Sequence, residues 1–340
     1  MMRAARCLPT ERAPIWLMRQ AGRYMSEYRA VREKTTFLEL CKNPSLAAEV
    51  MLTAVDRLKV DAAIIFSDLL PILEPMGFHL EFTAGEGPVI HNPVRRPGDL
   101  ERIRELEDVS ALDYVFETVR KTRAGLDESL PVIGFAGAPF TLAGYAVEGG
   151  SSRDFRTTKT LMHTAPEMWH DLLEKLASSV ARYLIAQIEA GAQIVQLFDS
   201  WVGCLSVDDY TRFVMPHSKR LIDMVHIAHP ETPLIHFGTG NPALLPAMRN
   251  AGGNVIGVDW RISIDAAWEM IGHDRAVQGN LDPVVLLTNP TIIRQHVREI
   301  LQKTGRRPGF IFNLGHGILP QTPVENVIAL VEMVKELSAG

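Results

Sequence analysis

Cysteine is scarce in the 340-residue sequence, and the few cysteines form no pattern. Cys7, Cys41 and Cys204 are odd in number and far apart, and no Cys-x-x-Cys motif occurs. A disulfide framework would need paired cysteines, and a cysteine-built zinc site would need closely spaced ones. The sequence therefore favours neither.

Long hydrophobic runs and an excess of positive charge are also lacking. No stretch reaches the roughly 18 consecutive apolar residues of a membrane span, and no apolar segment follows the basic residues of the N-terminus. The formal net charge is -5, and aromatic residues are not interleaved with basic runs, which gives no support to nucleic-acid binding. We therefore expect a cytoplasmic protein that binds neither membranes nor nucleic acids.

What the sequence does contain is 46% hydrophobic residues, many of them in eight short runs separated by segments of helical period. The runs are PIWLM (14–18), AAIIFS (62–67), PVIGFAG (131–137), IVQLFDS (194–200), PLIHFGTG (233–240), VIGVDW (255–260), AVQGNLD (276–282) and GFIFNLGHG (309–317). Strands this apolar are typical of a parallel sheet covered by helices.

These eight strand-and-helix units are not divided by a linker, so we predict one domain over residues 1–340. The predicted fold is a single (β/α)8 TIM-type barrel, with loop elaborations at its mouth around residues 73–106 and 141–164. Helices are predicted from Pro44 onward and from Pro166 to Gly191. An open, doubly wound sheet is the alternative fold.

Polar residues follow the apolar parts of six predicted strands. They are Arg19, Asp68, Ser200, Asp259, Asn280 and His316. The carboxyl ends of barrel strands meet at one mouth, where active sites lie, so we expect these side chains to converge. The alternative is that they are ordinary turn residues.

Arginines are concentrated between residues 18 and 34, in MRQAGRYMSEYRAVREK. Arg19 and Arg23 flank a turn-prone Gln-Ala-Gly, and guanidinium groups match carboxylates bidentately, which predicts a ligand with several carboxylates. The alternative is weak pairing with the glutamates of a solvated helix face, Glu27, Glu33 and Glu39. We expect that pairing for Arg29 and leave Arg32 open between the two.

Asp68 and His316 are the other two candidates with an unusual setting. Asp68 follows an apolar run, where a carboxylate needs donors to offset its burial. Its alternative role is to cap the next turn. His316 lies between two glycines that let backbone approach a ligand. Metal binding is its alternative, but no second histidine or cysteine stands at a ligand spacing.

Three glycine-containing segments raise the possibility of phosphate ligands. Gly238-x-Gly240-x-x-Ala243, with Asp259 further on, imitates a dinucleotide fingerprint and would suit a nicotinamide oxidoreductase. The motif lies in the fifth of eight units rather than at the start of a Rossmann half, which disfavours that interpretation. The turns after the last two strands could hold phosphate on backbone amides, although phosphate needs fewer arginines than this chain offers.

Several long motifs in order resemble the uroporphyrinogen decarboxylase family. They are MRQAGRY (18–24), IIFSD (64–68), GFAGAPFTLAGYAVEGG (134–150), LFDSW (197–201), QGNLDP (278–283) and NLGHG (313–317). The resemblance implies removal of the four acetate carboxyl groups of uroporphyrinogen III to give coproporphyrinogen III, without metal or other cofactor. It also implies a distorted (β/α)8 barrel and a homodimer whose two mouths face one another.

The resemblance also implies a set of site residues. Arg19 and Asp68 would be catalytic, with Asp68 beneath the pyrrole nitrogens and the proton delivered either by Arg19 or by a water near Asp68. The residues implied to bind substrate are Arg19, Gln20, Arg23, Arg32, Asp68, Phe135, Tyr145, Phe198, Ser200 and His316. Of these, Phe135 and Phe198 would form apolar walls.

Two other functions are weighed beside decarboxylation. A related barrel family transfers methyl groups with zinc held by a His-x-Cys motif, and some of its members depend on corrinoids. The matching place here is His236-Phe237-Gly238, which lacks the cysteine. His236 is therefore predicted to be a core residue. A non-catalytic tetrapyrrole binder is the second alternative, but binding alone would not need Asp68 beside the arginines.

Overall fold

The main sheet is parallel and supplies the strand ends that carry the candidate residues. The computed structural model describes residues 1–83 and 87–339. Its strands in these ranges are β1 (Ala63–Ile64), β2 (Leu80–Thr83), β3 (Gly87–Ile90), β4 (Val132–Gly137), β5 (Ile194–Asp199), β6 (Leu234–Gly238), β7 (Val255–Gly257), β8 (Ala276–Leu281) and β9 (Phe310–Leu314).

Within the described residues, seven strands form one curled sheet in the order β1-β4-β5-β6-β7-β8-β9, and every neighbouring pair is parallel. The strands β4, β6, β8 and β9 are buried along their whole length, which explains why they are apolar throughout rather than alternating. Seven of the eight predicted runs therefore contain strands of this sheet.

Helices cover the sheet between the strands. They are α1 (Met2–Ala5), α2 (Ser26–Arg32), α3 (Phe37–Cys41), α4 (Pro44–Leu58), α5 (Pro97–Leu100), α6 (Asp113–Gly125), α7 (Pro139–Glu148), α8 (Arg156–Thr164), α9 (Pro166–Glu189), α10 (Val207–Phe213), α11 (Met215–Ala228), α12 (Leu245–Ala251), α13 (Ile264–Ile271), α14 (Pro290–Thr304) and α15 (Val324–Ser338). The starts predicted for α4 and α9 are confirmed. Each has proline in its first turn, and the Asn43 side chain caps α4 by accepting from the Leu46 amide at 3.1 Å.

The first apolar run differs from its prediction. Residues 14–18 do not form a strand, and the contact is an isolated parallel bridge between Ile15 and Phe312 of β9. The Phe312 amide donates to the Pro14 carbonyl at 2.9 Å, and the Asp61 amide donates to the Ile15 carbonyl at 2.7 Å. The segment thus lies between β9 and the residues that lead into β1. It turns away too soon to form a ladder, because Gln20 already bonds back to Leu17.

The two predicted loop elaborations contain regular structure. In the first, β2 and β3 pair as an antiparallel hairpin, with Leu80 opposite Ile90, and α5 follows. Residues 84–86 and 340 lie outside the described residues. The second elaboration is mostly helical, since α7 and α8 occupy much of it. In the part of the chain that the structure describes, no helix has the length and apolarity that crossing a membrane requires.

Candidate active site

The turn that contains Arg19 is stabilised by the side chain of Gln20. The Gln20 side chain is fully buried. Its Oε1 accepts from the Leu17 amide at 3.1 Å, and its Nε2 donates to the Ala62 carbonyl at 3.0 Å. Both polar atoms are therefore used to fix the turn against the start of β1. The structure thus gives the Gln20 side chain a role in holding the turn, and its contact with substrate stays a prediction.

Arg19 is held in an uncommon backbone conformation, with a φ of 62°. A residue other than glycine pays roughly 1–2 kcal/mol for this left-handed region. The side chain is exposed and lies across Gly317, where an added Cβ would stand 2.4 Å from Arg19 Cδ. Among the described residues, no acceptor is hydrogen-bonded to its guanidinium. The turn thus presents an unpaired cation at the carboxyl end of the sheet.

The other three arginines of this region have different settings. Arg23 is exposed, and its side chain has no hydrogen-bond or ion-pair partner within residues 1–83 and 87–339. Arg29 Nη1 donates to the carbonyls of Arg23 and Tyr24, at 3.0 and 2.9 Å. Arg32 donates to the Thr35 carbonyl, so part of its guanidinium is already occupied. After Arg19, Arg23 is thus the second arginine of this region without a partner among the described residues. Arg29 stabilises the loop that contains Arg23.

The pairing expected for Arg29 is wrong, because Arg29 donates to two backbone carbonyls and forms no ion pair among the described residues. Glu27 forms an ion pair with Arg57 of α4 instead. Glu39 and Thr36 form a capping box at the start of α3, where the Thr36 amide donates to Glu39 Oε2 at 2.8 Å. The glutamates therefore stabilise helices and do not neutralise Arg19 or Arg23.

Asp68 follows β1 and is half-buried. Its Oδ1 accepts from the Leu70 amide at 3.0 Å, so the predicted capping contact exists. Burial raises the pKa of the Asp68 carboxyl, while the Leu70 amide and the Arg19 guanidinium oppose that shift. The contact to Leu70 engages one oxygen and fixes the carboxylate. Asp68 can therefore cap the turn with one oxygen and still offer the other to a ligand.

Tyr145 extends from α7 toward the same carboxylate. The phenol is half-buried, and its ring lies edge-on to Trp201 at a centroid distance of 6.0 Å. Burial raises the pKa of Tyr145, Asp68 raises it further, and Arg19 lowers it. Asp68 and Arg19 both act on the pKa of Tyr145, which indicates that the three side chains lie near one another.

Aromatic rings from three adjacent strands line up beside these polar groups. Phe198 of β5 lies edge-on to Phe135 of β4 at 5.5 Å and to Phe237 of β6 at 5.8 Å. Phe135 and Phe237 are buried and Phe198 is half-buried, so the row forms an apolar surface with one accessible ring. Ser200 follows two residues after Phe198 and is half-buried, and its carbonyl accepts from Thr239 Oγ1 at 2.9 Å.

His316 occupies a narrow position between two glycines. A Cβ on Gly315 would stand 2.6 Å from the Trp260 amide nitrogen, and a Cβ on Gly317 would overlap Arg19. The His316 ring lies edge-on to Trp260 at 6.5 Å. Burial lowers the pKa of His316 to about 4, and Arg19 and then Arg261 lower it in the same direction. The imidazole is therefore neutral near pH 7.

Several side chains near the mouth were missed by sequence reasoning. Trp201 stands directly after Ser200, so its position in LFDSW was an available signal. Arg261 comes two residues after Asp259, which had been noted as a strand-end residue. A buried amide chain crosses the sheet interior and had no signal in the sequence: Trp16 Nε1 donates to Gln278 Oε1 at 2.9 Å, and Gln278 Nε2 donates to Gln196 Oε1 at 3.0 Å.

Comparison with known proteins identifies the family of the chain. The family model for uroporphyrinogen decarboxylase (URO-D) matches residues 1–337. The chain belongs to the uroporphyrinogen decarboxylase family. It is 53% identical to the uroporphyrinogen decarboxylase of Sorangium cellulosum, over 99% of this chain and 95% of the relative. It is also 53% identical to that of Carboxydothermus hydrogenoformans, over 99% and 96%. The family is one of carboxy-lyases.

Solved structures with a similar fold are more distant in sequence. A methyltransferase from Methanosarcina mazei has a TM-score of 0.83 and 22% identity, covering 98% of this chain and 97% of the other. A B12-independent methionine synthase from Shewanella has a TM-score of 0.60 and 11% identity, covering 89% and 91%. At these identities, the likeness shows a shared fold and no more.

The zinc alternative can be compared with the surroundings of His236. The imidazole is fully buried, as predicted for a core residue, and its Nε2 lies 3.8 Å from Asp199 Oδ2. Asp199 in turn accepts from Thr141 Oγ1 at 3.2 Å. In the described ranges, no group of three or more His, Cys, Asp or Glu side chains is arranged to hold a metal ion.

The dinucleotide alternative conflicts with the contacts of the Gly240 loop. The Gly240 amide, which a phosphate would need, donates to Asp259 Oδ2 at 2.7 Å. A Cβ on Gly203 would stand 2.4 Å from the Thr239 carbonyl, so the loop is tightly packed. The remaining cavity is about 10 Å³, which is room for about one water. The loop therefore has a structural role, because it joins the end of β6 to the end of β7 through the bond between Gly240 and Asp259.

Proposed function

We propose that this protein removes the four acetate carboxyl groups of uroporphyrinogen III and releases coproporphyrinogen III. The observation that carries the proposal is a pair of groups at the carboxyl end of the sheet. Arg19 has an exposed guanidinium with no hydrogen-bond partner among the described residues, and the nearby Asp68 carboxylate is half-buried and fixed by the Leu70 amide. Membership of the uroporphyrinogen decarboxylase family supports the same substrate.

Substrate binding is assigned first to the two free guanidinium groups. Uroporphyrinogen carries eight carboxylates, and the guanidinium groups of Arg19 and Arg23 can each donate two parallel hydrogen bonds to one of them. Because the chain has a net charge of -5, a local cation cluster is needed to attract and orient the ligand. Phe198 and Phe135 supply the apolar surface against which a pyrrole face can pack. Ser200 and His316 contribute neutral polar contacts, and Arg32 can contribute only its unoccupied nitrogens.

The chemistry follows from what decarboxylation requires. A proton added to a ring carbon makes the pyrrole cationic, the bond to the carboxylate breaks, and its electron pair passes into the ring as carbon dioxide leaves. The resulting methylene then gains a proton and the ring carbon loses one, so each acetate is replaced by a methyl group at a net cost of one proton. The pyrrole is its own electron sink, and no cofactor enters the scheme.

Asp68 is assigned the stabilisation of the pyrrole cation. A carboxylate that accepts hydrogen bonds from pyrrole N–H groups opposes the positive charge as it develops, and its contact to Leu70 means that it needs no reorientation. The proton comes from Arg19 or from a water beside Asp68. His316 is a poor acid for this step at neutral pH, because burial keeps its pKa at about 4 and it carries no proton to give.

The fold is proposed to be one domain in which the sheet closes into a barrel through residues 14–18. The support is the hydrogen bond from Phe312 to the Pro14 carbonyl on one side and that from Asp61 to the Ile15 carbonyl on the other. The indole of Trp16 also reaches across the interior to Gln278 of β8. A homodimer with facing mouths and a cytoplasmic location stay predictions.

An anaerobic assay with reduced uroporphyrinogen, oxidised after the reaction and separated by carboxyl number, tests the function. The wild-type protein should yield the four-carboxyl product. Asp68→Asn keeps the oxygen that accepts from Leu70 but removes the charge, so turnover should fall by about 10²-fold. Asp127→Asn is the matched control, because Asp127 makes the same kind of contact to the Ser129 amide at 2.8 Å in the loop before β4.

Two outcomes would contradict the proposal. If Asp68→Asn retained near-normal turnover, Asp68 would be a turn cap and nothing more. If the wild-type protein bound uroporphyrinogen without altering its carboxyl number, the non-catalytic tetrapyrrole binder would be the better interpretation.

A further inference from the structure

The mouth contains a third arginine that neither the motifs nor the family resemblance singled out. Arg261 lies beyond the end of β7, and its guanidinium carbon is 4.3 Å from the centre of the Trp260 ring. Its side chain is 44% exposed. It belongs to the same strand-end loop as Asp259, whose carboxylate is nearly fully buried.

The contacts of Arg261 fix its guanidinium without consuming it. Nη1 is paired with Asp259 Oδ2, and no other nitrogen of the group has a partner among the residues that the structure describes. Asp259 does not depend on this contact, since it also accepts from the Gly240 amide at 2.7 Å and from the Arg261 amide at 3.0 Å. Stacking on Trp260 holds the plane of the group. A fork of N–H donors is therefore pre-organised and accessible.

The position of Arg261 is set relative to Arg19 by the glycine-flanked histidine. Arg19 packs across Gly317. On the other side of His316, Gly315 packs against Trp260, the residue on which Arg261 stacks. His316 stands between them with its ring edge-on to Trp260 at 6.5 Å. Both arginines lower the pKa of His316, which is an independent sign that both cations are near it. The rim thus has a cation on each side of one neutral imidazole.

We propose that Arg261 binds a peripheral carboxylate of the tetrapyrrole substrate on the side of His316 opposite to Arg19. The inference rests on the proposed function, because it assumes a ligand with carboxylates around its whole edge. Arg19 and Arg23 belong to a single turn and can serve only one edge of a macrocycle. Arg261, at the end of a different strand, can bind a carboxylate on another edge of the macrocycle. It therefore helps to set the orientation of the bound substrate and the specificity for highly carboxylated substrates.

The test compares Arg261→Ala and Arg261→Lys with the wild-type protein. A charged hydrogen bond contributes enough that KM for uroporphyrinogen should rise about 10-fold in Arg261→Ala, with kcat changed by less than about 2-fold. Arg261→Lys should recover only part of the loss, because it keeps the charge but not the fork or the stacking. Arg307→Ala is the matched control. Arg307 stacks on Trp268 at 5.2 Å, just before β9 and so at the opposite end of the sheet, and its loss should leave KM unchanged.

Affinity measured without turnover separates this inference from the proposed function. Anaerobic equilibrium dialysis of uroporphyrinogen against Asp68→Asn protein, with and without Arg261→Ala, should show about 10-fold weaker binding in the double variant. Equal affinity would overturn the inference, whether or not the wild-type protein is a decarboxylase. A lower kcat at unchanged KM would also overturn it, since that result would assign Arg261 a structural role through Asp259.

Discussion

Gly317→Ala should displace the Arg19 side chain without changing any charged group. Gly317 does not have a positive φ, so alanine fits its backbone. The added Cβ would stand 2.4 Å from Arg19 Cδ and 2.7 Å from Cγ. Those atoms belong to a flexible, exposed side chain, which can move away at little cost to the fold. The substitution therefore tests the position of a guanidinium and not its presence.

The expected size of the effect follows from these distances. Ordinary van der Waals contact begins at 3.4 Å, so Arg19 Cδ must retreat by about 1 Å. A misplacement of about 1 Å in a positioning group can cost on the order of 10²-fold in rate. We expect kcat/KM for uroporphyrinogen to fall by that order. The free energy of unfolding should change by less than about 0.5 kcal/mol, as for substitutions that avoid the core.

A double-mutant cycle provides the assay. The rates of wild-type protein, Gly317→Ala, Arg19→Ala and the double variant are measured anaerobically, and urea unfolding of each checks the fold. If Gly317 acts only through Arg19, adding Gly317→Ala to Arg19→Ala should cause no further loss. Gly98→Ala is the matched control, because a Cβ at Gly98 would have no atom within 4 Å.

Two results would refute this reasoning. Unchanged kcat/KM in Gly317→Ala, together with a large loss in Arg19→Ala, would mean that Arg19 reaches the ligand by a path that does not cross Gly317. Additive losses in the double variant would mean that Gly317 serves the loop around His316 independently of Arg19.

Two further predictions concern single groups of the site. Arg23→Ala should lower kcat/KM by a factor equivalent to about 1.5–3 kcal/mol, with partial rescue by lysine; unchanged steady-state kinetics would show that Arg23 faces only solvent. For His316, the folded pKa of about 4 lies below the ordinary value of 6.5, so the unfolded chain binds this proton first and stability falls as the pH drops from about 6.5 to 4. His316→Gln should lessen that loss in urea unfolding across this pH range, and an equal loss in both proteins would exclude His316 as its source.

Much of the architecture was predictable because a run of apolar residues is a local feature of the sequence and indicates a buried strand. The runs at β4, β5, β6, β8 and β9 are apolar enough to be recognised, and they are buried because helices cover the sheet. Residues 14–18 are equally apolar yet form only one bridge, at Ile15. Their pairing is limited by the turn after Leu17, where the Gln20 amide bonds back to the Leu17 carbonyl and the Gln20 side chain accepts from the Leu17 amide. The hydrophobic pattern of a sequence does not reveal such contacts.

The site was predictable in its location but not in the use of each side chain. Polar residues after apolar runs predicted that Arg19, Asp68 and His316 lie at one end of the sheet, because parallel strands end at one edge. The sequence could not distinguish Arg19, whose guanidinium has no hydrogen-bond partner among the described residues, from Arg29, which donates to two carbonyls. That difference depends on tertiary contacts alone. The contacts of the Gln20 side chain, which bonds to the backbone of Leu17 and Ala62, also had no signal in the sequence.

The arrangement around Arg19 is costly for the folded protein by itself. A positive φ at a non-glycine residue and a nearby carboxylate whose pKa is raised by burial both oppose stability. A fold selected only for stability would pair Arg19 with Asp68 directly or replace both. Here the two residues are adjacent but fixed separately, Asp68 by the Leu70 amide and Arg19 by its turn. This arrangement leaves both groups available to a ligand that carries carboxylates and N–H donors. A porphyrinogen has carboxylates on its edge and pyrrole N–H groups at its centre, and it satisfies both groups at once.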